Sequence, residues 1–512
     1  MKPRYLEARP QSRRIVVEGV LELTSQTSLS APSSWATTDS AIVRDSISDT
    51  PILLGSTLAG LLRHALRARL AGPMRKEASG LTSPLFGDAD DAVGQSALIV
   101  DDSLALHAAC ATRDGIRIDG GSGVVEEGAK FDLEVLEVGT RFPIRLELVL
   151  GGREGDDAKT LQDFLTCLGA LEAGEVRLGG RTRRGFGRCR VAPNADGARW
   201  SVWDFELGTP GGLLSWLLFD RVGPEAKTGS GSDRAPTPQP VAGIDILAAR
   251  LGSEIRRPRW EQLEIRALLQ VTGSMLVGAT THDPAAADVR AIQRRTSEAD
   301  VLEEFLPGTS LAGVMRHRAV KIVRTLAPRD PSAGLELVSL LFGPLHGHGA
   351  ADEVPWAGLL EVDDARITGG RILRHSRVSI DGWTGGARDH LLFEEDALFN
   401  GTAEVAMRVQ LSGVARAEAL AGLCICIFRD LYAGDLPIGR GSSIGRGFVR
   451  GMKGSLTHRP EGGGDEKKWT LGAFDPARGL DAQGESVDEL ERWVKAFLDH
   501  IGFESIGPAG GP

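Results

Sequence analysis

The sequence predicts an α+β protein that consists of two tandem copies of one domain joined by a flexible linker. Three observations lead to this prediction: a set of motifs occurs twice in the same order, the stretch between the two sets is rich in Gly, Pro and Ser, and each set alternates strand and helix patterns. An ordered internal repeat indicates that one folded unit has been duplicated.

The repeated motifs span some 140 residues in each copy. Two glycine-rich loops close the series, and each reads Gly, five residues, Gly, any residue, Gly. The pairs are LLGSTLAGLLRHAL (53–66) with LPGTSLAGVMRHRA (306–319), PLFG (84–87) with LLFG (340–343), RIDGGSG (117–123) with SIDGWTG (379–385), GTRF (139–142) with GTAE (401–404), and the loops that begin at Gly179 and Gly439.

The elements of the first copy follow one another as strand, helix, strands, helix and strand. Segment 13–25 has the alternating, β-branched character of a strand, as has 260–272 in the second copy. Segment 56–70 is predicted to be a helix with Ser56 or Thr57 as its cap. Segment 130–150 predicts two strands, 162–174 a second helix, and the chain resumes as a strand after the glycine-rich loop. This order is that of a split β-α-β, or ferredoxin-like, domain.

Changes in composition set the predicted domain boundaries. The first domain is expected at 1–221, a linker or disordered loop at 222–243, and the second domain at 244–455. A tail at 456–512 should carry a short amphipathic helix at 487–501.

Composition limits the possible function classes. With 512 residues, 42% hydrophobic and 25% charged, the chain has the balance of a soluble globular protein with more than one core. No apolar run is long enough for a membrane span and the N-terminus lacks a secretory signal, so we expect a cytoplasmic protein. Five cysteines without C-x-x-C pairs predict buried free thiols, with Cys424 and Cys426 on opposite sides if their apolar run is a strand.

The arginines of the first glycine-rich loop are unexpected in a chain with a formal charge of −10. Glycines let a backbone approach closely, and arginines pair with phosphate, so the loops suit a polyanion backbone. The alternative is a tight turn with solvated arginines. A nucleotide-binding P-loop is excluded at Gly55, because Leu61 and Leu62 stand where Lys and Ser or Thr are required.

These paired motifs resemble the CRISPR-associated RAMP superfamily, and within it two fused copies of the backbone subunit of type III effector complexes. The resemblance covers residues 13–195 and 260–455 and implies a ferredoxin-like (RRM-type) core with insertions. It also implies that subunits line up along a CRISPR guide RNA. The RNA-binding residues it suggests are Ser56, Thr57, Arg63, His64, Gly179, Gly180, Arg181, Arg183, Arg184, Gly185, Gly187, Arg188, Thr309, Ser310, Arg316, His317, Gly439, Arg440, Gly441, Ser442, Gly445, Arg446 and Gly447.

The family's target-cleaving aspartate precedes the first helix in a stretch similar to residues 39–45 here, DSAIVRD. Asp39 falls on the family position, 16 residues before Gly55. The alternative is a polar residue in a turn-prone segment. In the second copy, spacing alone puts Ile292 at this position, so the loop is altered. Asp288 is the nearest candidate, Asp283 an outside one, and an inactive second site a third possibility.

The resemblance therefore implies an RNA-guided endoribonuclease in which Asp39 takes the proton of the target's 2′-OH or holds Mg²⁺ or Mn²⁺ weakly. No nucleotide cofactor is expected. The expected partners are guide RNA, complementary target RNA and other type III subunits, namely the large signalling subunit, small subunits and further RAMP subunits, with no membrane. Two alternatives remain: a scaffold that binds guide RNA without cutting, and a RAMP nuclease that matures guide precursors with a histidine.

Overall fold

The computed structural model describes residues 11–31, 40–72, 81–87, 95–119, 125–151, 154–219, 236–279, 287–296, 301–344, 357–484 and 486–503. Within these ranges strands and helices alternate in both halves. The first half contains β1 (Arg13–Leu23), β2 (Ser30–Ala31), β3 (Ala41–Ile42), β4 (Ile52–Leu53), α1 (Gly55–Ala71), α2 (Ser83–Phe86), β5 (Leu98–Val100), β6 (Ser103–Leu104), β7 (Cys110–Ile118), β8 (Val125–Leu136), β9 (Arg141–Leu150), α3 (Glu154–Glu172), β10 (Cys189–Ala192), β11 (Trp200–Glu206), α4 (Pro210–Leu217), β12 (Gln239–Val241) and α5 (Ile244–Arg250).

The second half repeats most of this order. It contains β13 (Gln262–Thr272), β14 (Ser274–Met275), β15 (Gly278–Ala279), β16 (Val289–Ala291), β17 (Gln293–Arg295), β18 (Leu302–Leu306), α6 (Gly308–Leu326), α7 (Ser332–Phe342), β19 (Leu360–Val362), β20 (Ala365–Thr368), β21 (Arg371–Ile380), β22 (Ala387–Phe399), β23 (Thr402–Gln410), α8 (Ala417–Ala433), β24 (Phe448–Arg459), β25 (Lys467–Leu471), β26 (Ala482–Gly484) and α9 (Val487–His500).

Each half is built on an antiparallel sheet with two long helices. In the first half β10 pairs with β1, β1 with β9, and β9 with β5. In the second half β24 pairs with β13, β13 with β23, and β23 with β19 and β20. Helices α1 and α3, or α6 and α8, contribute to the apolar core of their own half. The predicted α+β class is confirmed, and the strand order is compatible with the ferredoxin-like order expected from the sequence.

The helix that carries the repeated Gly-Ser/Thr motif begins differently from the prediction. Helix α1 starts at Gly55, its N-cap is Leu54, and neither Ser56 nor Thr57 caps it. Instead, the Gly55 N–H donates to Asp102 Oδ1 at 2.7 Å. The Gly308 N–H donates to Asp364 Oδ1 at the same distance. A carboxylate from the strand region therefore satisfies an amide that the first turn of each helix leaves without a partner.

The cysteine pair lies on a helix. Cys424 and Cys426 belong to α8, so the strand geometry considered for them is wrong: the long apolar run is a core helix. Cys424 is buried and Cys426 half-buried, whereas Cys110 is exposed, against the expectation of buried thiols.

Both predicted boundaries of the second domain move when the packing is considered. Strand β12 pairs with β11, and Ile244 and Leu247 of α5 are buried in the first core, so residues 239–251 belong to the first domain. Strand β24 continues past residue 455. Trp469 and Phe497, from the predicted tail, are buried in the second core. Burial of each such aromatic side chain stabilises the fold by about 1.5–3 kcal/mol, so the tail is an integral part of that domain.

No helix among the described residues combines the length and the apolar character needed to cross a membrane.

Candidate nucleic-acid interface

The two glycine-rich loops, named loop 1 (residues 179–188) and loop 2 (439–448), share one backbone conformation. Each contains a single 3-10 turn, at Thr182–Arg184 and Ser442–Ile444. Gly187 and Gly447 have φ values of +79° and +84°, and a side chain there would overlap the carbonyl oxygens of Leu178 and Ile438. The fold of the turn therefore requires these glycines. Their amides are used internally: the Gly187 and Gly447 N–H groups donate to the carbonyl oxygens of Gln26 and Ser274.

Loop 1 is docked onto the second domain through ion pairs. Arg183 forms an ion pair with Glu361, which Arg177 also binds at 2.6 Å. Arg188 binds Asp363, with Nε 2.7 Å from Oδ1. Burial of Asp363 would raise its pKa, but the nearby guanidinium groups, Arg188 first, outweigh burial and lower it. These acids explain why an acid-free, arginine-rich loop is tolerated in an acidic chain.

The centre of this contact is Arg113, whose side chain is only 5% exposed. Its guanidinium lies 3.7 Å from Asp364 Oδ2 and donates to Thr309 Oγ1 at 3.2 Å. It also stacks on Phe186 of loop 1, 4.3 Å from the ring centroid. Arg113 belongs to the first domain, and Asp364 and Thr309 to the second, so a buried polar cluster joins the two copies.

This cluster was not predicted, although a further repeated motif in the sequence indicates it. Residues 360–364 read LEVDD and residues 98–102 read LIVDD, which is a further repeated motif. Its last aspartate, Asp364 or Asp102, caps the helix of its own copy, as described above. Arg113, by contrast, has no equivalent arginine, because His375 occupies the same position of the second β-hairpin.

Four residues that the resemblance suggests for RNA binding have partners within the chain. Arg183, Arg188 and Thr309 are engaged in the contact between the two domains. In loop 2, Arg446 is 3% exposed and binds Glu395 at 2.7 Å. Each of these pairs stabilises the fold. The assignments to RNA binding stay predictions.

The exposed Arg181 and Arg184 of loop 1 lie near His64 of α1 and the half-buried Arg316 of α6, and these four residues are named the strip. Burial lowers the pKa of Arg181 and of Arg316, and the charge of the exposed Arg184 lowers both pKa values further. Arg181 is also exposed and lies over the ring of Phe131, 4.4 Å from its centroid. On α1, His64 Nδ1 lies 2.8 Å from Arg67 Nη2. Burial, followed by the charges of Arg67 and Arg183, lowers the pKa of His64.

The helix positions within this strip are not equivalent to one another. Arg63 donates to Thr82 Oγ1 at 3.0 Å, and Arg316 donates to the Pro344 carbonyl oxygen at 2.6 Å. Both arginines therefore tie the helix to the segment around the repeated Leu-Phe-Gly motif. The residues that directly follow these arginines, His64 and His317, are exposed. The first turn of α1 also exposes Ser56 and Thr57, whereas Ser310 of α6 is half-buried.

The candidate catalytic acids can be compared through strand register, although Asp39 and Asp283 lie outside the described residues. Strand pairing matches Ile42 with Ser30 and Ala291 with Gly278. The next contact agrees. Ser40 forms a parallel bridge with Leu133, and Val289 pairs in parallel with Glu395, which holds the same hairpin position as Leu133. Ser40 and Val289 therefore correspond to each other. Counting back one residue, Asp288 corresponds to Asp39.

Spacing from the helix alone places Ile292 opposite Asp39, because the second copy has extra residues between its acid and its helix. Asp288 precedes Gly308 by 20 residues, whereas Asp39 precedes Gly55 by 16. The extra residues lie after the acid, in the segment of β17 and β18. Asp288 itself is exposed, and its Oδ2 accepts the Glu394 N–H at 2.8 Å.

The surroundings of Asp288 do not form a metal cage. Within the described ranges, no three His, Cys, Asp or Glu side chains come together as a metal site. Glu395, on the neighbouring strand, is bound by Arg446 and by Arg377 at 3.0 Å. A lone carboxylate could hold a divalent ion only together with phosphate oxygens.

Comparison with known proteins identifies one family. The model of the RAMP superfamily matches residues 30–190 and again 269–450, which together cover more than half of the chain and one region in each domain. No curated protein shows significant similarity to the sequence.

Proposed function

Because the chain belongs to the RAMP superfamily, and so has a CRISPR-associated RNA-binding function, we propose that it is a backbone subunit of a type III effector complex that binds guide RNA and cleaves complementary target RNA. The observation that carries the cleavage part is the equivalence of Asp39 and Asp288. The acid recurs at the same register although the segment that follows it in the second copy has been rebuilt, and this supports a function that both copies share.

Guide binding is assigned to the exposed residues of the strip, Arg181, Arg184 and His64. Its cations lie on helices and a rigid turn, so they can contact a phosphate backbone without reading base identity. The low pKa of His64 means that its ring is neutral near pH 7 and can donate one N–H to phosphate but brings no charge. Because these contacts are made to the phosphate backbone, the sequence of the guide should not affect its affinity.

Cleavage is assigned to the two equivalent aspartates. The target's 2′-oxygen attacks the adjacent phosphorus and the 5′-oxygen leaves, which requires the three atoms in line. Asp288 accepts the Glu394 N–H through one carboxylate oxygen. This hydrogen bond fixes the plane of the carboxylate and therefore the direction of its second oxygen. In this position it can accept the 2′-OH proton. A Mg²⁺ ion, when bound by one such carboxylate and phosphate oxygens, would neutralise charge on the phosphorane.

The proposal is tested with the double variant Asp39→Asn/Asp288→Asn in the assembled complex. Asparagine keeps the size and, at residue 288, the acceptor oxygen for the Glu394 N–H, so only the charge is lost. We expect guide binding to be unchanged and target cleavage in Mg²⁺ to fall at least a hundredfold, the ordinary contribution of a general base. Asp45→Asn is the matched control, because this exposed acid serves a local turn with Ser48.

Full cleavage by the double variant, with normal guide binding, would favour the scaffold function and leave cutting to another subunit. Cleavage of guide precursors by the purified chain alone would favour the processing function.

A further inference from the structure

One buried ion pair joins loop 2 to the strand that holds the candidate acid of the second copy. Arg446 of loop 2 and Glu395 of β22 are both buried, and Nη1 of the arginine lies 2.7 Å from Oε2 of the glutamate. Glu395 directly follows Glu394, whose N–H binds Asp288, and it pairs with Val289, the residue after Asp288. The carboxylate that Arg446 binds therefore belongs to the backbone segment that supports the acid.

The same arginine also supports the turn of loop 2. The Arg446 N–H donates to the Gly441 carbonyl oxygen at 3.1 Å, and a Cβ atom at Gly441 would lie 3.1 Å from Arg446 Cδ. The aliphatic part of the side chain thus packs against the backbone of the loop. Arg440 and Ser442, on either side of Gly441, are exposed and are predicted to contact guide RNA. Arg446 consequently connects a loop predicted to bind the guide with the strand beside the acid.

The first copy joins the corresponding positions by an apolar contact. Phe186 holds the position of Arg446, between the last two glycines of the loop, and Leu133 holds the position of Glu395, at the same distance before the repeated Gly-Thr motif. Phe186 and Leu133 are buried in one small apolar cluster. Leu133 also bridges Ser40, the residue after Asp39. Loop and strand are thus joined at the same place in both copies.

Both members of the contact differ between the copies, so the contact is kept while its chemistry changes. An arginine opposite a leucine, or a glutamate opposite a phenylalanine, would place a charged group against a buried apolar side chain, which is strongly destabilising. The feature that the ion pair and the apolar contact share is their position, between a glycine-rich loop and the strand that supports the acid.

We propose that Glu395 and Arg446 are positioning residues for target cleavage at the second site, that of Asp288. Their ion pair fixes the Glu394 N–H, and with it the acid, relative to loop 2 and the RNA bound there. Leu133 and Phe186 have the same role at the first site. The inference rests on the proposed cleavage function. In-line attack tolerates little misplacement, and an error of about 1 Å costs roughly a hundredfold in rate.

The test follows both cuts in a labelled, guide-matched target RNA, made by the assembled complex with Mg²⁺. Glu395→Leu and Arg446→Phe are introduced singly and together, because the double variant gives the second copy the apolar pair of the first. Each single variant should slow the second cut about a hundredfold at saturating target, since it sets a charge against an apolar side chain and displaces the strand. The double variant should restore most of the rate, which is the mark of two residues that act through each other.

Two readouts separate positioning from a loss of fold. The first cut, made by the same molecules, should keep its rate in all three variants. The target concentration that gives the half-maximal rate of the second cut should also stay unchanged, because a misplaced acid affects the chemical step and not target binding. Arg377→Ala is the matched control. It removes the partly exposed second partner of Glu395, 3.0 Å away, and leaves the ion pair with loop 2, so it should slow the second cut much less than Arg446→Phe.

The outcomes distinguish this inference from the function on which it rests. A normal second cut in both single variants would overturn the inference and leave the proposed function intact. A double variant as slow as the single variants would also overturn it, as would an equal loss of rate in Arg377→Ala. A wild-type complex that makes no second cut would contradict cleavage by Asp288 itself, and the inference would fall with it.

Discussion

Replacement of Arg113 by alanine should weaken the contact between the two domains more than any change to the loop arginines. The side chain is 5% exposed and faces Asp364, which is 1% exposed. Removal of one partner of a buried ion pair costs about 3–5 kcal/mol, because the other charge stays desolvated. Asp364 keeps the Gly308 N–H at 2.7 Å and Arg294 at 3.6 Å, so we take the lower bound. A loss of about 3 kcal/mol corresponds to roughly a hundredfold change in equilibrium constant.

The measurement is urea unfolding of the full chain followed by tryptophan fluorescence. Arg113→Ala should lower the free energy of unfolding by about 3 kcal/mol. The control is Arg117→Ala on the same hairpin: its pair with Glu126 is 55% and 39% exposed. An exposed pair of this kind contributes about 0.2–1 kcal/mol. Equal effects of the two substitutions would refute the view that the buried cluster joins the domains.

Three further predictions concern the strip and the linker. Arg184→Ala should reduce the slope of the logarithm of the RNA-binding constant against the logarithm of salt concentration by about 0.7. Arg188→Ala should leave this slope unchanged, because the wild-type Arg188 side chain binds Asp363; equal slopes for the two variants would contradict this division. His64 should titrate below pH 6.5 in NMR spectra, and Arg67→Ala should raise its pKa, because the neutral ring is favoured beside a cation; a normal wild-type value would contradict this. Proteolysis within 222–235 should leave the halves in one particle on size exclusion, since the docked loop holds them together; separate halves would contradict it.

Local signals in the sequence were sufficient for the elements of the fold. Helix α1 and strand β1 follow from apolar periodicity, and the duplication follows from motifs that keep their order. The failures have physical causes. The Cys424 segment was considered as a strand because a fully buried apolar run has no periodicity that separates helix from strand.

The partners of the loop arginines could not be predicted in the same way. Arg183 meets Glu361 across 178 residues of chain, and no local pattern encodes such a contact. Counting back from the helix gives Ile292, four residues after Asp288, because the extra residues of the second copy lie between the acid and the helix. Strand pairing, which is set by hydrogen bonds, gave the equivalence that counting along the sequence could not.

The chain contains two copies of one domain, and we propose that each copy carries its own catalytic acid. This proposal is tested most directly by mapping the cuts that the assembled complex makes in a labelled, guide-matched target RNA with Mg²⁺. We expect Asp39→Asn to remove one cut and Asp288→Asn to remove a different, separately positioned cut, while the other cut persists in each variant. A cleavage map unchanged by Asp288→Asn, with Asp39→Asn removing its cut, would contradict the equivalence of the two copies.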